Sequence, residues 1–111
     1  MATANMDCML YQLIKSGSNT SMSYVSDGVK NIYNLSQQEA YNDLSKLIDV
    51  IHKDDKDKFI KSILTSYDNN EDWYLQYRVI IDGKTKWIQT QAKIKKGEDG
   101  TGIWNGIKFD I

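Results

Sequence analysis

The sequence predicts an α+β fold, an antiparallel sheet of five strands with its helices grouped on one face. Three observations carry this. Two apolar runs open the chain, Met9 to Ile14 and Met22 to Val25, around a turn-rich stretch. Apolar residues then recur at helical spacing from Val29 to about Tyr67. From Trp73 to Ile111, three runs rich in aromatic and β-branched residues follow one another across two glycine turns. Strands, then helices, then strands in hairpin succession is the order of an α+β domain.

Between the first two strands, Lys15 to Ser21 supplies glycine, asparagine, serine and threonine, the residues of a turn. Ser26-Asp27-Gly28 ends the second strand. Val29, Ile32 and Tyr33 predict a short helix, and Asn34 a left-handed residue at its end. Ser36-Gln37-Gln38-Glu39 reads as a capping box opening a second helix. Leu44, Leu47, Ile48 and Ile51 continue the apolar spacing until His52-Lys53-Asp54-Asp55 interrupts it with a polar cap. Phe59, Ile60, Ile63 and Leu64 mark a helix of about four turns ending near Tyr67, and Asp68 to Asp72 a polar loop. Trp73 to Ile81 predicts a strand, Asp82-Gly83 a tight hairpin turn, and Lys84 to Lys95 a second strand of period two. Lys96 to Gly100 turns the chain into a last strand, Thr101 to Ile111.

At 111 residues the chain supports one core. Hydrophobic residues are 41% and charged residues 26%, the balance of a soluble globule rather than a disordered chain. Lysine plus arginine (14) nearly equals aspartate plus glutamate (15), so no basic field points to nucleic acid. No apolar run reaches the length of a membrane span, so no membrane contact is expected of this domain. One cysteine, Cys8, excludes an internal disulfide and fits a reducing, cytoplasmic compartment. With a single histidine, His52, the chain cannot assemble a four-ligand zinc site from cysteine and histidine. A Cys8–His52 dyad has no identifiable orienting group, so no catalytic residue is assigned and the domain is not read as an enzyme. Gly97, Gly100 and Gly102 precede a strand rather than a helix, and so read as a hairpin instead of a phosphate cradle. Asp68, Asn70 and Asp72 alternate as a calcium loop begins, but Trp73 stands where that loop needs glycine. The Lys-Asp run from Lys53 to Lys61 reads as a solvated helix face with weak ion pairs.

Four segments resemble a PAS domain of the bacterial sensory-box type, close to the third PAS-fold subgroup. YVSDGVKNIYNLSQQEA resembles that family's YVSPGVEEIYGYSPEE, with Asn34 where glycine is usual. IHKDDKDKF resembles IHPDDRER, with Lys53 for proline. LQYRVIIDGKTKWIQTQAKI resembles EYRIRRKDGEYRWVEARGRPI, its hairpin one residue shorter, and GIWNGIKFDI resembles VLWHGYVIDIT. The resemblance covers residues 9–111, which it implies form the sensor domain, with 1–8 a partly ordered N-terminal extension. It implies the PAS fold, a five-stranded antiparallel sheet with helices on one face. It also implies a sensory role, in which the domain binds a small organic ligand or mediates homodimerisation. That state would regulate an output domain, a histidine kinase or a GGDEF-type diguanylate cyclase, in a longer signalling protein from which this module is excised. A ligand-free dimerisation module is the alternative. The flavin-bonding cysteine motif of light-sensing relatives is absent and His52 sits off the usual haem position, so no cofactor and no metal are expected.

For the last strand two readings compete. Hydrophobic patterning puts Ile103, Ile107, Phe109 and Ile111 in the core and Lys108 in solvent. The resemblance implies the reverse, with Trp104, Gly106 and Lys108 inward. It also turns Trp73, Leu75, Tyr77, Val79, Ile88, Thr90, Ala92 and Ile94 toward the helices. On that reading Phe59, Ile63, Tyr77, Ile88, Thr90, Trp104 and Lys108 bound a ligand pocket too small for haem or flavin. Trp87, Ile103, Ile107 and Phe109 then form an outer-face interface.

Overall fold

The computed structural model describes residues 7–111. Its elements in chain order are β1 (Cys8–Ser16), β2 (Asn19–Val25), α1 (Val29–Tyr33), α2 (Gln37–Asn42), α3 (Ser45–Ile48), α4 (Lys53–Asn69), β3 (Trp73–Ile81), β4 (Lys84–Lys96) and β5 (Gly102–Asp110). The strands form one sheet in the order β2-β1-β5-β4-β3, antiparallel throughout. The first and last strands are therefore neighbours at its centre. Of the expected N-terminal extension, residues 1–6 lie outside the described residues. The Asp7 carbonyl accepts the Asp110 amide at 3.0 Å, and Cys8 already pairs with Phe109 as β1 begins.

Local chemistry accounts for most element ends. Asn34 takes the left-handed conformation at the end of α1, with φ 57°. Ser36 Oγ accepts the Glu39 amide at 3.0 Å while Glu39 Oε1 accepts the Ser36 amide at 3.1 Å, so the capping box is complete. Asp82 and Gly83 both have positive φ, 53° and 76°, as a two-residue hairpin turn of the primed type requires.

Three boundaries differ from the sequence reading. The first hairpin turns over Gly17 and Ser18 alone, because Thr20 and Asn19 pair with Lys15 and Ser16 instead of joining the turn. Ser23 has no ladder partner on β1, a bulge in β2 opposite the Gln12–Leu13 step. Ile51 does not continue a helix but bridges Val79 at the sheet edge. Helix α4 starts at Lys53, with His52 as its N-cap accepting the Asp54 amide on Nδ1 at 3.0 Å, and runs two residues past Tyr67 to Asn69.

The core lies between one face of the sheet and the helices. Met9, Tyr11, Val25, Tyr77, Val79, Ile88, Thr90 and Trp104 from the strands meet Val29, Ile32, Tyr33, Leu47 and Phe59 from the helices, and all are buried. On β5, Trp104 and Lys108 are buried, whereas Ile103, Ile107 and Phe109 are half-buried on the outer face and Ile111 is exposed. The patterning reading of this strand is thus corrected. β5 is hydrogen-bonded on both sides, so its register with β1 and β4 sets which side chains point inward, not their individual polarity.

Candidate functional site

Lys108 sits on the middle strand of the sheet, points at the helices and is 5% exposed. A buried ammonium is costly unless other groups replace its water. Here Tyr77 Oη accepts from Nζ at 2.8 Å and Tyr33 Oη at 3.0 Å, and the two hydroxyls lie 3.1 Å apart. Around them stand four rings with centroids at 5.3 Å (Tyr33), 5.5 Å (Tyr11), 5.5 Å (Tyr77) and 5.8 Å (Phe59) from Nζ. Nζ meets Tyr77 and Tyr33 at their hydroxyl edges, so only the Tyr11 and Phe59 rings are placed to attract the cation through a face, by about 0.5–2 kcal/mol each. No carboxylate among the described residues lies within ion-pair reach of Lys108. An ammonium has three N–H donors. Two are taken by the tyrosines, and the third has no oxygen acceptor among the described residues.

Each member of the cage comes from a different element, by that element's own geometry. Strand alternation turns Tyr11 (β1), Tyr77 (β3) and Lys108 (β5) to the same face. Tyr33 closes α1 on its buried side, and Phe59 descends from α4, edge-on to Tyr77 at 5.0 Å and to Trp73 at 5.2 Å. Thr90 of β4, fully buried, shares a 2.6 Å hydrogen bond with Tyr11 Oη. Gly106 makes room for the Tyr11 ring, which lies across it from the neighbouring strand. Burial pushes the Tyr77 hydroxyl well above the usual tyrosine range, reinforced by Tyr33 beside it. Burial raises Tyr11 likewise, against the smaller opposing effect of Thr90. Both stay neutral and able to serve the lysine.

Beside the cage lies a cavity of about 220 Å³. Lys108, Tyr11 and Phe59 of the cage are on its wall, and Leu13, Met22, Leu47, Ile48 and Ile63 form much of its apolar lining. Of the pocket residues expected from the sequence, Phe59, Ile63 and Lys108 line it. Tyr77, Ile88, Thr90 and Trp104 are fully buried but not on its wall. Tyr77 and Thr90 act one step back, through Lys108 and Tyr11, and Trp104 is tied to α4 by Nε1–Ser66 Oγ at 3.0 Å. The cavity extends instead toward β2 and α3. Tyr11 and Tyr33 were missed because each occupies an apolar position in its element's period. The available signal was their hydroxyls, which need partners when buried.

A second constellation sits at the free edge of β3. Asp55, on the helix run read as solvated, is buried, and that reading is corrected for this residue. Its Oδ2 accepts the Arg78 amide at 2.8 Å and Arg78 Nε at 2.9 Å, while Oδ1 accepts Nη2 at 2.8 Å. The Arg78 guanidinium holds the Asp55 carboxyl well below the usual carboxylate range. Arg78 also lies over the Trp87 ring, 5.4 Å from its centroid.

The outer face carries the expected interface residues. Trp87 is exposed, and Ile103, Ile107 and Phe109 are half-buried. A broad groove of about 710 Å³ runs along this face past Leu10, Tyr24, Tyr74 and Ile107. Cys8 is exposed at the start of β1. Among the described residues, no group of three or more histidine, cysteine, aspartate or glutamate side chains could hold a metal ion, and no helix is long and apolar enough to cross a membrane.

Comparison with known proteins agrees with this fold. The family model described as the PAS fold matches residues 22–107, and the chain belongs to that family. No curated protein matches. Among solved structures, the chain is similar to the N-terminal domain of a diguanylate cyclase with PAS/PAC sensor from Marinobacter aquaeolei. The TM-score is 0.77 at 14% identity, over 93% of this chain and 94% of that one. A domain of a histidine kinase from Haloarcula marismortui gives 0.80 at 17%, over 99% and 94%. A sensory box histidine kinase/response regulator from Burkholderia thailandensis gives 0.74 at 21%, over 99% and 81%.

Proposed function

We propose that this PAS domain is a cytoplasmic sensor module that binds a small organic molecule and passes its state to a covalently linked output domain. The observation that carries the reading is the cavity beside Lys108, an apolar space with one buried cation at its end, the usual make-up of a small-molecule site. Ligand binding in this reading is a population shift. A molecule that takes the third Lys108 donor draws the ammonium toward the cavity and alters its hold on Tyr33 and Tyr77. It thereby changes how α1 and β3 pack against β5, the strand that leads out of the domain. Similarity to domains of a histidine kinase and a diguanylate cyclase supports an output domain of one of those two kinds.

A second reading, a dimerisation module that needs no ligand, is favoured by the exposed aromatic and aliphatic side chains of the outer face around Trp87. Native mass spectrometry of freshly purified protein separates the two. A retained small molecule at the mass of one chain plus a few hundred daltons supports the sensor reading. A dimer mass with no added molecule, in protein that also fails to take up added small molecules, supports the second.

A further inference from the structure

The cavity combines a polar end and an apolar length in a way that selects among small molecules. At one end is the Lys108 ammonium, with a donor to spare and no carboxylate of the described chain within reach. Most of the remaining wall is aliphatic, drawn from β1, β2, α3 and α4, and the Tyr11, Phe59 and Trp73 rings and Thr20 complete it. Ile60 and Leu64 belong to that wall yet are 41% and 44% exposed, so the cavity meets solvent on their side, away from the buried lysine. An occupant must therefore place an anionic group deep and a hydrocarbon behind it. A volume of about 220 Å³ equals roughly seven water-sized groups, at about 30 Å³ each. We propose that the ligand is an aliphatic monocarboxylate of medium chain length, about six to eight carbons, its carboxylate on Lys108 Nζ and its tail ending between Ile60 and Leu64.

This rests on the sensor reading and narrows it. The carboxylate supplies the charge that Lys108 lacks, and its hydrogen bond to an ammonium is of the strong, charge-assisted kind. The tail gains by leaving water, about fourfold in affinity for each methylene buried. Acetate forgoes that gain, whereas 1-octanol keeps it and loses the charge. A chain of sixteen carbons exceeds the volume.

The test is isothermal titration calorimetry of the protein with acetate, hexanoate, octanoate, hexadecanoate and 1-octanol, repeated on Lys108→Met. Met keeps the stem and removes the charge. Hexanoate and octanoate are expected to bind at least tenfold more tightly than acetate or 1-octanol, with hexadecanoate no tighter than octanoate because its surplus carbons stay in water, and Lys108→Met to weaken octanoate at least tenfold while leaving 1-octanol unchanged. Should Lys108→Met not fold, the octanoate and 1-octanol pair on the native chain decides alone. Equal or tighter binding of 1-octanol, or equal octanoate affinity in Lys108→Met, overturns the carboxylate proposal and leaves a small-molecule site standing. A cavity-filling variant, Ile63→Phe, tests the reading beneath it. If no probe binds and Ile63→Phe only raises the melting temperature, the space is a packing void, and both the proposal and the sensor reading fall.

Discussion

A β-carbon at position 106 would lie 2.6 Å from the Tyr11 ring and 2.7 Å from the Ala92 methyl group. Both neighbours are held by strands on either side of β5, so neither can retreat without moving a ladder. Gly106→Ala is therefore expected to cost about 1–3 kcal/mol through overpacking, and to loosen the Tyr11–Thr90 hydrogen bond at the cage. Chemical denaturation measures this, and an unchanged midpoint would show that Tyr11 has slack. Asp55 gives a prediction in pH. Its folded pKa is depressed by Arg78, while its unfolded value is about 4. The contribution of the pair is thus present above about pH 4 and is lost as pH falls toward the lower folded value. Asp55→Asn should be less stable than the native chain by about 1–3 kcal/mol at pH 7, the gap narrowing below pH 4. A gap constant from pH 7 to pH 2.5 would assign the effect to shape rather than charge. At this scale the sequence was only partly legible. Phe59, Ile63 and Lys108 could be placed at the pocket from the resemblance, but periodicity alone counts lysine as a solvent residue. It cannot register that two tyrosine hydroxyls and the rings around them stand in for water.

Element ends were legible where a short-range rule acts, as at the Ser36–Glu39 box, the Asn34 terminus and the Asp82-Gly83 turn. They were misread where a distant partner decides. The stretch from Val50 to Asp55 looked like helix followed by polar cap, but it serves β3, the edge strand. Ile80 donates to the Val50 carbonyl at 2.8 Å, His52 donates to the Arg78 carbonyl at 2.9 Å, and Arg78 donates to Asp55. Those groups would otherwise be an open edge, a template for another strand. The amides of Arg78 and Ile80 should accordingly exchange with deuterium slowly, at rates comparable with β4. In Asp55→Asn the Arg78 amide should speed up selectively. Fast exchange at both amides in the native chain would mean that this cover is not maintained.

The molecule as a whole presents two unlike faces, one covered by helices and one open. On the open face Leu10, Tyr24, Tyr74 and Trp87 are each between 47% and 59% exposed, and Ile103, Ile107 and Phe109 lie half-buried among them. Contiguous apolar surface of a few hundred Å² marks an interaction site. The double variant Trp87→Glu, Ile107→Glu is expected to stay folded, since neither side chain enters the core, and to sediment as monomer where the native chain associates. Unfolding without a change in association would place these side chains in the core after all. The architecture and the facing of β3, β4 and β5 were readable from strand order and resemblance together. The role of the open face was not, because strand periodicity does not distinguish a docking surface from a solvated one. β1 pairs with β5 near the middle of the sheet, so the ribosome must add every residue from Ser16 to Gly102 before that seam can close. At about 5–20 residues per second, the inner edge of the first hairpin waits on the order of ten seconds for its partner. During that time Tyr11 has neither Gly106 to lie across nor Lys108 to receive, so the cage and the sheet are completed together when β5 emerges.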